Sequence, residues 1–294
     1  MTILNQTNDG SYPDLIVLYR AAIVQGTDSS ENLVRICSPS LDSLKRLRAV
    51  LSRWRAMGLF EEINNELRLK KEYGKRRGQT LDKATLGLSK YCCELILDEC
   101  NSMPLWGKGV GVAGDFSAGI SWLLAQDIYS LPSAWGGIDP LLNRQSSVPK
   151  KLIENDTRWS PLRQWARYLG FAEGEGSNFL VDPTRIISLY LPQIFSKTKS
   201  LPAGDFLSAL STLIPVLDSG KYRNEVEATL DKTHWRSTEG NSLSMSLSLA
   251  LRRLELSGEL QLLGKADAGS SYSLTGAKYR FWKGFESVVW RGGK

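Results

Sequence analysis

The sequence predicts a mainly α protein with small β-hairpins, built from tandem winged helix-turn-helix units around a helical middle region. Two observations predict this class. From "PDLIVLYRAAIVQG" to "ELRLK" the chain reads helix, helix, helix, strand, tight turn, strand, which is the winged-helix order. The closing part of that order, a capped helix, a glycine break and two strand-like pieces, then recurs twice more.

The first element places Leu15, Leu18, Ala22 and Ile23 on one helical face, and Gly26 ends it. "SSENLVRICSP" follows as a short helix with Ser30 as a cap and Pro39 as a stop. Ser40 caps a third helix with Leu44, Leu47, Leu51 and Trp54 turned inward. After Gly58, residues 59–63 and 66–70 alternate as strands. Asn64-Asn65 suits a two-residue type I′ turn between them.

The second occurrence is "SPLRQWARYLGFAEGEGSNFLVDP", with strands expected near residues 171–181. The third is "LSLALRRLELSGELQLLGKADAGSSYSLT", with strands expected near 260–274. Each break falls on a glycine, which adopts the left-handed conformation that ends a helix at little cost. Between the units, "TLDKATLGLSKYCCELILDECN" and "DFSAGISWLLAQDIYSLP" read as helices, with Asp115 capping the second. "LPAGDFLSALSTLIPVLDSG" reads as the opening helix of the last unit. The division that follows is a winged helix with a basic linker over 1–78, a helical region over 79–151, a winged-helix-like unit over 152–200 and a C-terminal winged helix over 201–294.

Composition narrows the function. The net charge of +6 favours an anionic partner without requiring one. His234 is the only histidine, so a His/Cys zinc site or a histidine-activated nucleophile would have to use it, and no cysteine or carboxylate cluster stands beside it. Carboxylate- and lysine-based catalysis remain open. "GVGVAG" (109–114) matches G-x-G-x-x-G, but no strand precedes it and no β-α-β unit surrounds it, so it reads as a connection. Cys37, Cys92, Cys93 and Cys100 form no C-x-x-C pair, and no secretory leader is visible, which points to a reducing cytoplasm. No run approaches the ~18 apolar residues of a membrane span. The expectation is a non-enzyme with no metal, cofactor or membrane contact.

Candidate nucleic-acid contacts lie in two places. On the third helix Lys45, Arg48, Ser52 and Arg55 share the face opposite the apolar stripe, with Arg46 and Arg53 flanking it. Such a face can present guanidinium and ammonium groups to phosphates and guanine edges. The other reading is a solvated basic face beside a wing that carries Glu61, Glu62 and Glu66. Just beyond, Arg68, Lys70, Lys71, Lys75, Arg76 and Arg77 crowd around Tyr73 and Glu72. That run could follow a phosphate backbone or serve as a charged linker. Later units offer Lys150, Lys151, Arg158, Arg163 and Arg167, then Asn241, the serines of "NSLSMSLSL", Arg252 and Arg253. For these, packing or partner binding is favoured over base readout. The nine tryptophans, Trp106, Trp122 and Trp135 among them, read as core or as a protein-binding surface.

Three stretches, "TILNQTNDGSYPDLIVLYRAA", "DFSAGISWLLAQDIYSLP", and "IPVLDSGKYRNEVE" through "LSLALRRLELSGEL", resemble the DpdG proteins. These are encoded in bacterial gene clusters that insert 7-deazaguanine bases into DNA and restrict unmodified DNA. The resemblance implies a non-catalytic accessory component of the restriction arm, working with larger helicase- or nuclease-type subunits. It carries no defined site motif, so no functional residue is taken from it. The expected partners are double-stranded DNA and other subunits of the same defence cluster. The alternative is a protein-protein adaptor that never touches nucleic acid.

Overall fold

The computed structural model describes residues 2–4, 12–146, 152–264 and 271–292. In chain order the helices are α1 (Tyr12–Gln25), α2 (Ser30–Cys37), α3 (Leu41–Ala56), α4 (Leu81–Leu97), α5 (Glu99–Ser102), α6 (Gly114–Leu124), α7 (Trp135–Gln145), α8 (Asp156–Leu169), α9 (Thr184–Ile194), α10 (Ala203–Leu213), α11 (Lys221–Glu227) and α12 (Met245–Leu256). The strands are β1 (Phe60–Ile63), β2 (Glu66–Leu69), β3 (Ala172–Glu173), β4 (Leu180–Val181), β5 (Ser200–Pro202), β6 (Leu260–Leu263), β7 (Tyr272–Thr275), β8 (Phe281–Phe285) and β9 (Ser287–Trp290). Helix accounts for about 53% of the chain, and the strands form only small antiparallel sheets, so the protein is mainly α with small β elements.

The chain divides into two compact units. Unit 1 holds residues 1–116 and 156–169, and unit 2 holds 117–155 and 170–294. The segment read as one unit over 152–200 is thus shared: α8 belongs to unit 1, and β3, β4 and α9 belong to unit 2.

In unit 1 the core collects Leu15, Leu18 and Tyr19 from α1, Leu47, Val50, Leu51 and Trp54 from α3, and Trp159 and Trp165 from α8. Trp54 is fully buried, with its ring 5.5 Å from that of Trp165. Ser40 caps α3 through a capping box with Ser43. Ser29, not the expected Ser30, caps α2 by accepting from the Asn32 N–H. The β1–β2 hairpin pairs Ile63 with Glu66, and both turn residues, Asn64 and Asn65, have positive φ, as a type I′ turn requires. The Asp28 backbone, between α1 and α2, pairs antiparallel with Leu67, which gives the order Asp28–β2–β1.

Unit 2 repeats this succession. Strand β5 lies between α9 and α10, and the sheet order is β5–β9–β6. Two expectations are corrected here. The strands near 260–274 do form, but they do not pair with each other: β6 pairs with β9, and β7 pairs with β8 as a separate hairpin. Helix α10, read as an opening helix, follows β5 directly and so holds the place of α2, leaving the opening place to α9. The glycines at the three predicted breaks, Gly58, Gly170 and Gly258, all have positive φ. Trp122 and Gln145 join inside unit 2 through a 2.9 Å hydrogen bond from the indole N–H.

Candidate nucleic-acid interface

Helix α3 presents an open face. Lys45, Arg46, Arg48, Ser52 and Arg55 are exposed, because they fall away from the Leu47/Val50/Leu51/Trp54 stripe. Arg53 is an exception to the expected flank. It is 8% exposed, since it follows Val50 by three positions and turns inward with it. The other arginines of this face meet carboxylates. Arg46 pairs with Asp14 at 2.6 Å, Arg48 with Glu31, and Arg55 with Glu62 on the wing. Arg68 pairs with Glu61 at 2.7 Å, across β1 and β2. The Arg48 guanidinium, bonded to Glu31, holds that carboxyl below its usual range, and Arg48 rises in turn. Lys45 has no ion-pair partner among the described residues.

The basic run beyond the wing is held to the unit. Residues 71–73 make one 3₁₀ turn, the Tyr73 carbonyl accepts a 2.8 Å hydrogen bond from the Tyr19 hydroxyl, and the Tyr73 ring lies 5.3 Å from that of Tyr91. Lys70 is half-buried, with its ammonium against Gly58. Lys71, Lys75, Arg76 and Arg77 are exposed, and none has a carboxylate partner among the described residues. These are therefore the cations most available to an external anion. The sequence grouped them with the α3 arginines and had no means of separating the two sets.

Helix α12 holds the place of α3 in unit 2 but has no such face. Ser244, Ser246 and Ser248 are buried. Ser244 Oγ donates to Asp218 at 2.6 Å, Ser246 Oγ donates to the Leu124 carbonyl at 2.7 Å, and Ser248 Oγ accepts from the Thr275 N–H at 2.8 Å. Their hydroxyls are occupied inside the unit, which removes them as phosphate donors. Arg252 pairs with Glu255, and Arg253 with Glu173 and Asp182. On α8, Arg163 lies over the Trp159 ring, and Arg158 stands 3.8 Å from Asp115. Asp115, buried and raised above the usual carboxylate range by desolvation, accepts from the N–H groups of Phe116 and Leu4. Lys150 and Lys151 lie outside the described residues.

The remaining motifs stay structural. The loop at 109–114 follows α5 rather than a strand, and a side chain at Gly111 would strike the Asn101 carbonyl. The His234 side chain is exposed, while its backbone carbonyl accepts from Gln145. Cys92 and Cys93 are buried and free. No helix among the described residues is long and apolar enough to cross a membrane.

A family model for DpdG-like proteins matches residues 1–268. The chain belongs to the DpdG-like family. Membership associates it with the Dpd 7-deazaguanine modification system and with the other proteins of that cluster. No curated protein and no solved structure matches the chain. The geometry of this DpdG-like chain therefore has to carry the finer reading.

Proposed function

We propose that this chain is a non-catalytic, cytoplasmic accessory subunit that helps the Dpd modification and restriction machinery engage duplex DNA. In this reading residues 12–70 form a winged helix with α3 as its DNA-facing helix. Residues 184–290 form a second winged helix whose third helix has become internal. The matching strand orders, Asp28–β2–β1 and β5–β9–β6, support both assignments.

The observation that carries the proposal is the contrast between two helices in equivalent places. The first three turns of α12 expose no residue, whereas α3 offers Lys45, Arg48, Ser52 and Arg55 and leads on to four exposed cations at 71–77. Exposed ion pairs such as Arg48–Glu31 contribute only about 0–1 kcal/mol, so a phosphate can replace the carboxylate at little cost. The test is binding of labelled duplex DNA at several salt concentrations, comparing wild type with Lys45→Glu/Arg48→Glu/Arg55→Glu and with Lys71→Glu/Arg76→Glu/Arg77→Glu. Undiminished binding by both variants, each still folded, would sink the reading.

One observation favours the adaptor alternative. Arg46, Arg48 and Arg55 already have protein carboxylates, and Glu61, Glu62 and Glu66 sit on the wing. A pull-down from the native host, with and without nuclease, separates the two. Helicase- or nuclease-type partners that survive nuclease support an adaptor, and partners lost with it support bridging by DNA.

A further inference from the structure

Unit 2 contains a cavity that the DNA-facing reading leaves unused. It consists of two adjoining hollows of about 200 and 380 Å³, with Gln126, Asp127, Trp235, Arg236 and Tyr279 lining both. Two polar groups there lack partners. Arg223 is 2% exposed, and its Nε donates to Glu227. Its Nη1 is buried with no hydrogen-bond partner among the described residues, Asp218 Oδ1 standing 3.9 Å away. Gln126 is 5% exposed and donates Nε2 to the Trp122 carbonyl at 3.0 Å, while its Oε1 accepts nothing from the described residues. A charged donor left unmatched inside a protein is costly, so a group that supplies its acceptor has a large advantage there.

The rim supplies the second condition. Tyr279 is 41% exposed and carries the Arg236 guanidinium 4.4 Å from its ring centre. Lys278 and Tyr279 both sit at positive φ, a conformation that costs energy for side chains of this kind. Phe281 and Trp282 follow, both exposed, with the Trp282 ring 6.3 Å from that of Tyr129. Exposed aromatic faces beside a polar floor suit a flat ligand. Charge excludes one simple occupant: Arg144, Arg223 and Arg236 are balanced by Asp127, Glu227 and Glu239, so the cavity does not select a free anion.

We propose that this cavity binds a nucleobase through a lactam edge. The ring carbonyl accepts from Arg223 Nη1, the neighbouring ring N–H donates to Gln126 Oε1, and the ring face rests on the Tyr279 side of the rim. An unmatched donor and an unmatched acceptor on one cavity are complementary to a C(=O)–N–H edge, and the aromatic wall to the flat ring that carries it.

Titration calorimetry on the full chain tests this with guanosine, inosine and uridine, which carry that edge, against adenosine and cytidine, which do not. The expected result is a Kd below about 1 mM for the first set and at least about tenfold weaker binding for the second. Gln126→Met and Tyr279→Ala should each weaken guanosine by about tenfold or more. Tyr279 lies on the exposed rim, so if Gln126→Met fails to fold, Tyr279→Ala decides. A short single strand containing guanine forms a further arm. Binding by the strand alone means that the base is presented on a strand, and binding by the nucleoside means that the free form suffices. Lys71→Glu/Arg76→Glu/Arg77→Glu should bind guanosine as wild type does, which separates this proposal from the DNA-facing reading. No heat with any of these ligands, equal binding by both sets, or guanosine binding unchanged in the substituted cavity overturns it.

Discussion

At the scale of single residues, unit 1 depends on side chains that join distant parts of the chain. The Tyr19 hydroxyl donates to the Tyr73 carbonyl at 2.8 Å, and burial pushes its phenol well above the usual tyrosine range. A phenol raised in the folded state stabilises fully below its unfolded pKa of about 10, and that contribution is lost as pH climbs toward the folded value. Tyr19→Phe should therefore cost about 0.5–1.5 kcal/mol at neutral pH, and the gap to wild type should close above about pH 10. Urea melts at pH 7 and pH 10.5 check both parts. Trp54 acts through volume instead: it is fully buried against Trp165, so Trp54→Ala should lower stability by about 3–5 kcal/mol in the same assay. Its inward place could be read from its spacing with Leu47 and Leu51. The Tyr19–Tyr73 bond could not, because its partners are 54 residues apart in sequence.

At the scale of elements, what was legible is what neighbouring residues decide. Gly58, Gly170 and Gly258 mark helix ends because left-handed backbone is a local property, and the capping box at Ser40 is local for the same reason. The Asn64-Asn65 turn allows a direct test. Asn65→Gly should keep or slightly raise stability, since glycine reaches positive φ without strain. Asn65→Val should lower it by about 1–2 kcal/mol, because a β-branched side chain meets the backbone in that conformation. Thermal melts of the two variants should move apart, and equal midpoints would contradict the type I′ assignment. The same local reasoning failed for the last sheet. A strand pattern at 260–263 and another at 272–275 suggest a hairpin, yet β6 takes its partner from 287–290. Pattern places a strand, but pairing depends on which edges the packed helices leave open.

At the scale of the whole molecule, the question is which charges remain for an external partner. If duplex DNA contacts the 71–77 run, each lost phosphate contact should lower the log–log salt slope by about 0.9. Lys71→Glu/Arg76→Glu/Arg77→Glu should then flatten the slope more than the α3 variant does, because two of the three α3 cations already have carboxylates. Anisotropy titrations at three salt concentrations measure both slopes, and a larger loss from α3 would reverse this ranking. The sequence by itself determined the mainly α class, the positions of nearly all helices and both candidate basic segments, since helix period, capping and charge are written in adjacent residues. Only the tertiary structure decided that Arg53 and the α12 serines are buried, that the α3 arginines are paired while Lys71, Lys75, Arg76 and Arg77 are exposed without carboxylate partners, and that Arg223 and Gln126 line one cavity. Exposure and pairing are properties of the packed chain, fixed by contacts between residues that the sequence keeps far apart.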